Sequence, residues 1–162
     1  MKKVLFLCTG NSCRSIMAEA LLNHLGKDQF IAFSAGSFPT GTLHPFSVRT
    51  LLSKGVPGSG LRSKHWDEFK GKPIDIVITV CDQSAAESCP LFPGKPIRGH
   101  WSLPDPAKYA GSESERLAEF QHVYDLLEYR IKAFLRLPLD QMLPTEITGK
   151  LNEIGRLEPQ AA

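Results

Sequence analysis

The fold is decided near the N-terminus, where residues 3–15 read KVLFLCTGNSCRS. The apolar residues 4–7 predict a buried strand, and the small and polar residues after them predict a tight loop that leads into a helix. Gly10 allows backbone N–H groups of this loop to turn inward, and the helix directs its positive N-terminus at the same point. The sequence therefore predicts a cradle for a tetrahedral oxyanion at the carboxyl end of the first strand.

Cys8 and Arg14 stand at the two ends of this loop and indicate a nucleophilic site. A cysteine attacks as its thiolate, which N–H donors, a helix N-terminus and a nearby positive charge stabilise. Arg14 supplies that charge, and its planar fork can hold two oxygens of an oxyanion. The residues expected to bind the oxyanion are Thr9, Gly10, Asn11, Ser12, Cys13, Arg14 and Ser15. The alternative is that Cys8 is a core thiol and Arg14 a solvated helix residue.

Length and composition limit the class of protein. The chain has 162 residues, 42% of them hydrophobic, which is enough for one core and predicts one domain. A formal charge of +2 and scattered basic residues predict neither a nucleic-acid partner nor a membrane surface. The polar residues of the loop interrupt the N-terminal apolar run too early for a signal peptide. We therefore expect a cytoplasmic protein. We also expect a monomer, because the sequence shows no surplus apolar stripe.

The remaining sequence alternates between strand and helix patterns. We predict strands at residues 4–8, 30–35, 74–81 and 97–101, and helices at 15–25, 44–53, 63–69 and 113–135. This alternation predicts an α/β fold, a single-domain four-stranded parallel sheet flanked by helices on both faces. Ser112 and Glu115 predict a capping box at the start of the last helix. We assign residues 1–137 to the catalytic domain and 138–162 to an extension that packs on it or is partly disordered.

Asp105, Cys81 and Cys89 are further candidate catalytic residues, because the first two follow strands whose carboxyl ends form the ligand edge of such a sheet. A carboxylic acid at Asp105 could protonate a leaving oxygen, although an Asp-Pro turn without chemistry is the alternative. Cys89 lies eight residues after Cys81, so three thiols can exchange a disulfide. The short cysteine pairs of a zinc site are absent from the sequence, and two unrelated buried thiols are the plainer alternative.

Several stretches together resemble the thioredoxin-coupled arsenate reductases of the low-molecular-weight protein tyrosine phosphatase superfamily. They are VLFLCTGNSCRSIMAEALL from Val4, FSAG ending at Gly36, the cysteine pair after IVITV, and HWSLPDPA from His100. The resemblance implies that Cys8 attacks arsenate held by the loop and Arg14 while Asp105 assists the departure of an oxygen. It further implies that Cys81 attacks Cys8 and releases arsenite, and that Cys89 then attacks Cys81. Thioredoxin would reduce the final disulfide, with glutaredoxin as the alternative reductant.

This relay requires the segment between the last two cysteines to change shape. If residues 81–89 were helical, the two Cα atoms would lie about 12 Å apart at ~1.5 Å per residue. A disulfide needs a Cα separation of roughly 4.4–6.8 Å. We therefore predict that residues 84–88 differ in conformation between the reduced and oxidised forms.

The resemblance also implies a potassium ion near the loop, with no tightly bound cofactor besides it. The residues that map onto the ion site are Asn11, Glu19, Ser34 and Asp67. The alternative for these four residues is structural: Asn11 holds the loop by hydrogen bonds, and the two carboxylates lie on the surface.

Two other functions are compatible with the same residues. A low-molecular-weight tyrosine phosphatase would use Cys8, Arg14 and Asp105 through a phosphocysteine intermediate. That branch is expected to carry a tyrosine directly after the Asp-Pro pair, where this chain has Ala107. A non-catalytic oxyanion or redox sensor is the third hypothesis. The missing tyrosine and the added Cys81 and Cys89 favour the reductase.

Overall fold

The computed structural model describes residues 1–82 and 91–159. Within them the strands are β1 (Lys2–Cys8), β2 (Phe30–Gly36), β3 (Ile76–Thr79) and β4 (Ile97–His100). The α-helices are α1 (Arg14–Leu25), α2 (Pro45–Ser53), α3 (Glu113–Leu135) and α4 (Pro144–Ile154). Short 3₁₀ helices span Trp66–Phe69, Pro106–Lys108 and Leu139–Gln141. All strand pairs are parallel and their order is β2-β1-β3-β4, which confirms the predicted α/β fold.

The central strand β1 separates two cores. Val4 and Phe6 belong to the larger core, which the four α-helices complete. Leu5 and Leu7 face the opposite side of the sheet and pack with Phe69 of the Trp66–Phe69 helix. Because successive side chains of a strand point to opposite faces, the continuous apolar run of β1 is what a strand covered on both faces requires.

Strand register brings the candidate site residues to one edge of the sheet. Leu7 of β1 pairs with Thr79 of β3, and Thr79 pairs with His100 of β4. Cys8 and the segments that begin at Val80 and Trp101 therefore leave the sheet side by side. The third strand is shorter than the predicted 74–81, although Val80 still donates its N–H to the Leu7 carbonyl at 2.8 Å.

Local signals set the helix starts. Helix α1 begins at Arg14, one residue earlier than predicted. The predicted capping box of α3 is confirmed, because Ser112 Oγ accepts from the Glu115 N–H and Glu115 Oε1 accepts from the Ser112 N–H, both at 3.2 Å. This reciprocal pair satisfies two N–H groups that a helix start otherwise leaves unbonded.

The chain beyond residue 137 packs on β4. Leu151 of α4 is buried, and its Cβ lies 2.6 Å from the position that a side chain on Gly99 would take. Asn152 Oδ1 accepts from the His100 N–H at 2.9 Å. Helix α4 thus covers the outer strand of the sheet. Residues 160–162 lie outside the described residues.

Among the helices of the described residues, none has the length and apolar character needed to cross a membrane.

Candidate active site

Residues 8–14 form the anion loop, which connects β1 to α1 with its backbone N–H groups turned inward. Three carbonyls of the loop are bonded outward, by Phe38 N–H to Thr9 (2.9 Å), Thr40 N–H to Gly10 (3.0 Å) and His44 N–H to Ser12 (3.1 Å). In a planar trans peptide the C=O and the next N–H point in opposite directions. The N–H groups that follow these carbonyls therefore face the interior of the loop, as the sequence predicts for an oxyanion cradle.

Cys8 lies at the centre of this arrangement and is 2% exposed. Its Sγ accepts from the Asn11 N–H at 3.2 Å and lies 2.9 Å from Ser15 Oγ. Asn11 has φ = 47°, a left-handed backbone that few non-glycine residues adopt. Its amide Nδ2 donates to Ser15 Oγ at 2.8 Å, which links the two ends of the turn. The contacts on the sulfur suit a thiolate, because each comes from an N–H or a hydroxyl group.

Gly36 gives the anion loop the room it needs. A Cβ on this residue would lie 2.4 Å from the Thr9 carbonyl oxygen and 3.1 Å from Asn11 Cβ. A side chain there would push the loop away from the sheet, so the end of β2 has to be glycine.

Arg14 joins the anion loop to Asp105. Its guanidinium is buried, donates to the Leu103 carbonyl at 3.2 Å and lies 3.6 Å from Asp105 Oδ2. Asp105 is one-fifth exposed, and its other oxygen accepts from the Ala107 N–H at 3.1 Å. We call residues 101–108, which carry Asp105, the acid loop. The two loops face each other, with an arginine suited to an oxyanion beside a carboxyl group suited to proton transfer.

The other two described cysteines differ in position. Cys13 is buried at the start of α1, and burial raises the pKa of its thiol to about 11, which keeps it protonated. Cys13 therefore contributes to the anion loop through its backbone and not through its thiol. Cys81 is fully buried two residues after β3, the strand that pairs with β1 and its terminal Cys8. Cys89 and the segment predicted to rearrange, residues 84–88, lie outside the described residues.

Three of the four residues mapped onto a potassium site lie together. Asn11 Nδ2 donates to Ser34 Oγ at 3.0 Å, and Ser34 Oγ donates to Glu19 Oε1 at 2.5 Å. Asp67 does not join them, since its carboxylate pairs with Lys70 at 3.0 Å and lies beside His65. In its place the buried Lys64 brings its Nζ to 3.7 Å from Glu19 Oε1.

Residues 3–147 match the family described as low molecular weight phosphotyrosine protein phosphatase. The chain belongs to this family. It is 43% identical over 134 residues to an arsenate reductase of Bacillus licheniformis, covering 82% of this chain and 94% of that protein. An arsenate reductase of Bacillus subtilis is 39% identical over 133 residues, with the same coverage. The resemblance to arsenate reductases of this superfamily is thereby confirmed.

A solved structure leads to the same family. A structure titled as an arsenate reductase in the phosphate binding state superposes with a TM-score of 0.66 at 27% identity, covering 83% of this chain and 97% of the other. This likeness confirms the fold over most of the chain.

Sequence reasoning missed two residues that hold the site together. Lys64 reads as an ordinary surface lysine between Ser63 and His65, and nothing in the sequence pairs it with Glu19. Arg130 occupies a predicted helix, where an arginine normally reaches solvent. In the structure Arg130 is buried and donates to the Ser102 carbonyl at 2.9 Å and the Leu157 carbonyl at 3.1 Å. The one sequence signal for it is its place within the apolar stripe of α3, directly before Ile131.

Proposed function

We propose that this chain reduces arsenate to arsenite by a relay of Cys8, Cys81 and Cys89 that thioredoxin regenerates. The observation that carries the proposal is the position of Cys81, fully buried two residues after β3, which lies beside the strand that presents Cys8. Hydrolysis of a phosphate ester requires one nucleophilic thiol, whereas a two-electron reduction requires a second thiol within reach. The relatives named arsenate reductase support the same choice of substrate.

The first step forms a bond between sulfur and arsenic. Cys8 attacks arsenate as a thiolate, and the inward N–H groups of the anion loop together with Arg14 hold the oxyanion. Asp105 gives a proton to the departing oxygen, which leaves as water. Arsenic is still pentavalent in this adduct, so no electrons have yet been transferred.

The second step carries the reduction. The Cys81 thiolate attacks the Cys8 sulfur, the sulfur–arsenic bond breaks, and its electron pair stays on arsenic, which becomes arsenite. Two thiols have then become one disulfide, which balances the two electrons gained by arsenic. Cys89 next attacks Cys81 and restores the Cys8 thiolate. The dithiol of thioredoxin reduces the Cys81–Cys89 disulfide and completes the cycle.

A phosphatase is the second candidate, because the chain belongs to a family described as phosphotyrosine protein phosphatases. The anion loop, Arg14 and Asp105 also suit phosphoryl transfer as well as they suit arsenate reduction. In that reaction water, rather than Cys81, resolves the intermediate on Cys8. Phosphate and arsenate have the same shape and charge, so we expect slow hydrolysis of aryl phosphates beside the reductase activity.

The test couples the purified chain to thioredoxin, thioredoxin reductase and NADPH, and records arsenate-dependent NADPH consumption. The wild type should turn over, and Cys81→Ser should lose this activity while still hydrolysing an aryl phosphate through Cys8. Replacing thioredoxin by glutaredoxin and glutathione identifies the reductant. If wild-type protein hydrolyses the aryl phosphate but consumes no NADPH with arsenate, the chain is a phosphatase and the relay is wrong.

The monomeric state and the cytoplasmic location remain predictions. Gel filtration of the purified chain tests the first, and fractionation of cells that express it tests the second.

A further inference from the structure

A buried ion pair lies beneath the anion loop. Lys64 Nζ and Glu19 Oε1 are 3.7 Å apart, and the two side chains are only 7% and 13% exposed. The ammonium group also donates to the Arg62 carbonyl at 2.9 Å. Burial lowers the pKa of Lys64 and raises the pKa of Glu19, and the attraction between the two opposes both shifts. Each group therefore keeps its charge more readily in this place because the other is present.

Hydrogen bonds connect this pair to the nucleophile. Glu19 accepts from the Ser34 hydroxyl, and Ser34 accepts from Asn11 Nδ2. Asn11 Nδ2 also donates to Ser15 Oγ, which touches the sulfur of Cys8. Lys64 enters the network a second time, because its backbone N–H donates to Asn11 Oδ1 at 2.8 Å. The ammonium group thus stands at one end of a chain of contacts whose other end is the thiol.

Two of the oxygen atoms that a potassium ion would use, Glu19 Oε1 and Asn11 Oδ1, already have partners. Glu19 Oε1 faces the hydroxyl of Ser34 and the ammonium of Lys64, and Asn11 Oδ1 faces an N–H group. Asp67 lies elsewhere, with its carboxylate on Lys70. A potassium ion at Glu19 would approach Lys64 and meet its positive charge in a poorly solvated place. The residues present do not fit the ion.

We propose that Lys64 is the resident cation of this cluster and that the chain needs no potassium. The ammonium keeps the buried Glu19 carboxylate charged, the carboxylate orients the Ser34 hydroxyl, and Ser34 with Lys64 fixes the side chain of Asn11. Asn11 in turn holds its left-handed backbone and places its N–H on Cys8. Lys64 is a positioning residue that acts through Asn11. This proposal rests on the proposed function only where enzyme activity is measured; the unfolding measurements do not depend on it.

The test measures thermal unfolding of the full chain in KCl, NaCl and choline chloride at equal ionic strength. The wild type should melt at the same temperature in all three salts. Lys64→Met keeps the length of the side chain and leaves Glu19 buried without its cation, which should lower Tm by about 5–15 °C in choline chloride. KCl should then restore about 3 °C or more, since an added cation can fill the vacated place.

The matched control is the double variant Lys64→Met/Glu19→Gln, which has no buried charge and should show no potassium response. Aryl phosphate hydrolysis through Cys8 should follow the same pattern, with potassium raising the rate of Lys64→Met alone. A potassium-specific rise in the Tm of the wild type overturns the proposal, even if Lys64→Met does not fold. A Lys64→Met variant as stable as the wild type in choline chloride overturns it as well. Neither unfolding result depends on arsenate turnover.

Discussion

The anion loop and the acid loop meet at one site but are held in different ways. The contacts that shape the anion loop around the sulfur run between Cys8, Asn11 and Ser15, within eight residues of sequence. The acid loop depends on partners far away in the chain. Trp101 Nε1 donates to the Leu151 carbonyl at 3.0 Å, and Ser102 accepts from Arg130. The contacts on the sulfur thus come from a local motif, which Gly36 and Lys64 support from distant positions, whereas the acid is placed by the packing of α3 and α4.

This difference separates two kinds of substitution. Changes within the anion loop should remove the chemistry of both proposed activities, whereas changes in α4 should disturb the acid and leave the reactivity of Cys8 in place. Arg14 belongs to both loops, because it lies in the first and bonds to Leu103 and Asp105 of the second.

The largest effect is expected from Cys8→Ser. A serine hydroxyl is a far weaker nucleophile and leaving group here, so arsenate reduction and aryl phosphate hydrolysis should both fall by at least about 10⁴-fold. Steady-state assays of the two reactions measure the loss. Binding of inorganic phosphate, followed by calorimetry, should persist because the N–H groups and Arg14 remain. Residual turnover above a hundredth of the wild-type rate would show that another group attacks the substrate.

Asp105→Asn should lower kcat by about 10²–10⁴-fold, the usual contribution of a general acid, with a smaller change in KM. The loss should shrink for aryl phosphates with very acidic phenols, because such leaving groups depart without a proton. A series of substituted phenyl phosphates measures this dependence. An equal loss for every leaving group would assign Asp105 a structural role, through its contact with Arg14, rather than proton transfer.

Gly155→Ala tests whether α4 positions the acid loop. A Cβ on Gly155 would lie 2.2 Å from the His100 carbonyl oxygen and 2.8 Å from Trp101 Cδ1, so we expect a loss of about 1–3 kcal/mol in the free energy of unfolding. Chemical denaturation measures it. We also expect kcat to fall severalfold, while the rate at which iodoacetamide alkylates Cys8 stays unchanged.

Helix α4, at whose C-terminus Gly155 lies, offers the matched control. Gly149 is exposed in α4, and a Cβ added to it would have no heavy atom within 4 Å beyond its own helix backbone and chain neighbours. Gly149→Ala should therefore raise stability by about 0.5–1 kcal/mol and leave kcat unchanged. If Gly155→Ala altered Cys8 alkylation as strongly as it altered kcat, the two loops would not be independent.

The same contrast explains what could be predicted from the sequence. The strands, the start of α1 and the capping box of Ser112 and Glu115 depend on residues close together in the chain, so periodicity and spacing indicate them. The contacts from Cys8 to Ser15 are of this kind, although Gly36 and Lys64 support the anion loop from distant positions. Arg130 and Asn152 act across long separations, and their residue types in a helix normally indicate a solvated surface. Only the packed structure reveals them.

The cluster of Asn11, Glu19, Ser34 and Lys64 also could be predicted only in part from the sequence. Glu19 and Ser34 could be paired by resemblance, because the residues around them match a known pattern. Lys64 could not be assigned to the cluster in this way, because its role depends on the fold, which buries it against Glu19. Asp67 and Lys64 lie three residues apart; Lys64 precedes the bridge of His65 to β2 and faces Glu19, whereas Asp67 lies in the Trp66–Phe69 helix and pairs with Lys70.

The smallest effect is expected from the protonation of His100, which directly precedes the acid loop. Burial and the nearby Arg130 lower the pKa of His100 below its ordinary value of 6.5. Its Nδ1 lies 2.6 Å from Thr79 Oγ1, and its backbone N–H is bonded to Asn152. The unfolded chain therefore takes up a proton at this residue more readily than the folded chain. The His100 contribution to stability is complete above the ordinary pKa and declines as pH falls below it.

His100→Asn keeps a polar side chain that can meet Thr79 but does not titrate. Denaturant unfolding at a series of pH values between about 7.5 and 5 should show a smaller loss of stability on acidification for this variant than for the wild type. Alkylation of Cys8 over the same range should have the same pH dependence in both proteins, because the contacts on the Cys8 sulfur come from Asn11 and Ser15. If the substitution instead shifted the alkylation profile, a charge at the start of the acid loop would reach the nucleophile. The nucleophile would then depend on the acid loop more than its hydrogen bonds indicate.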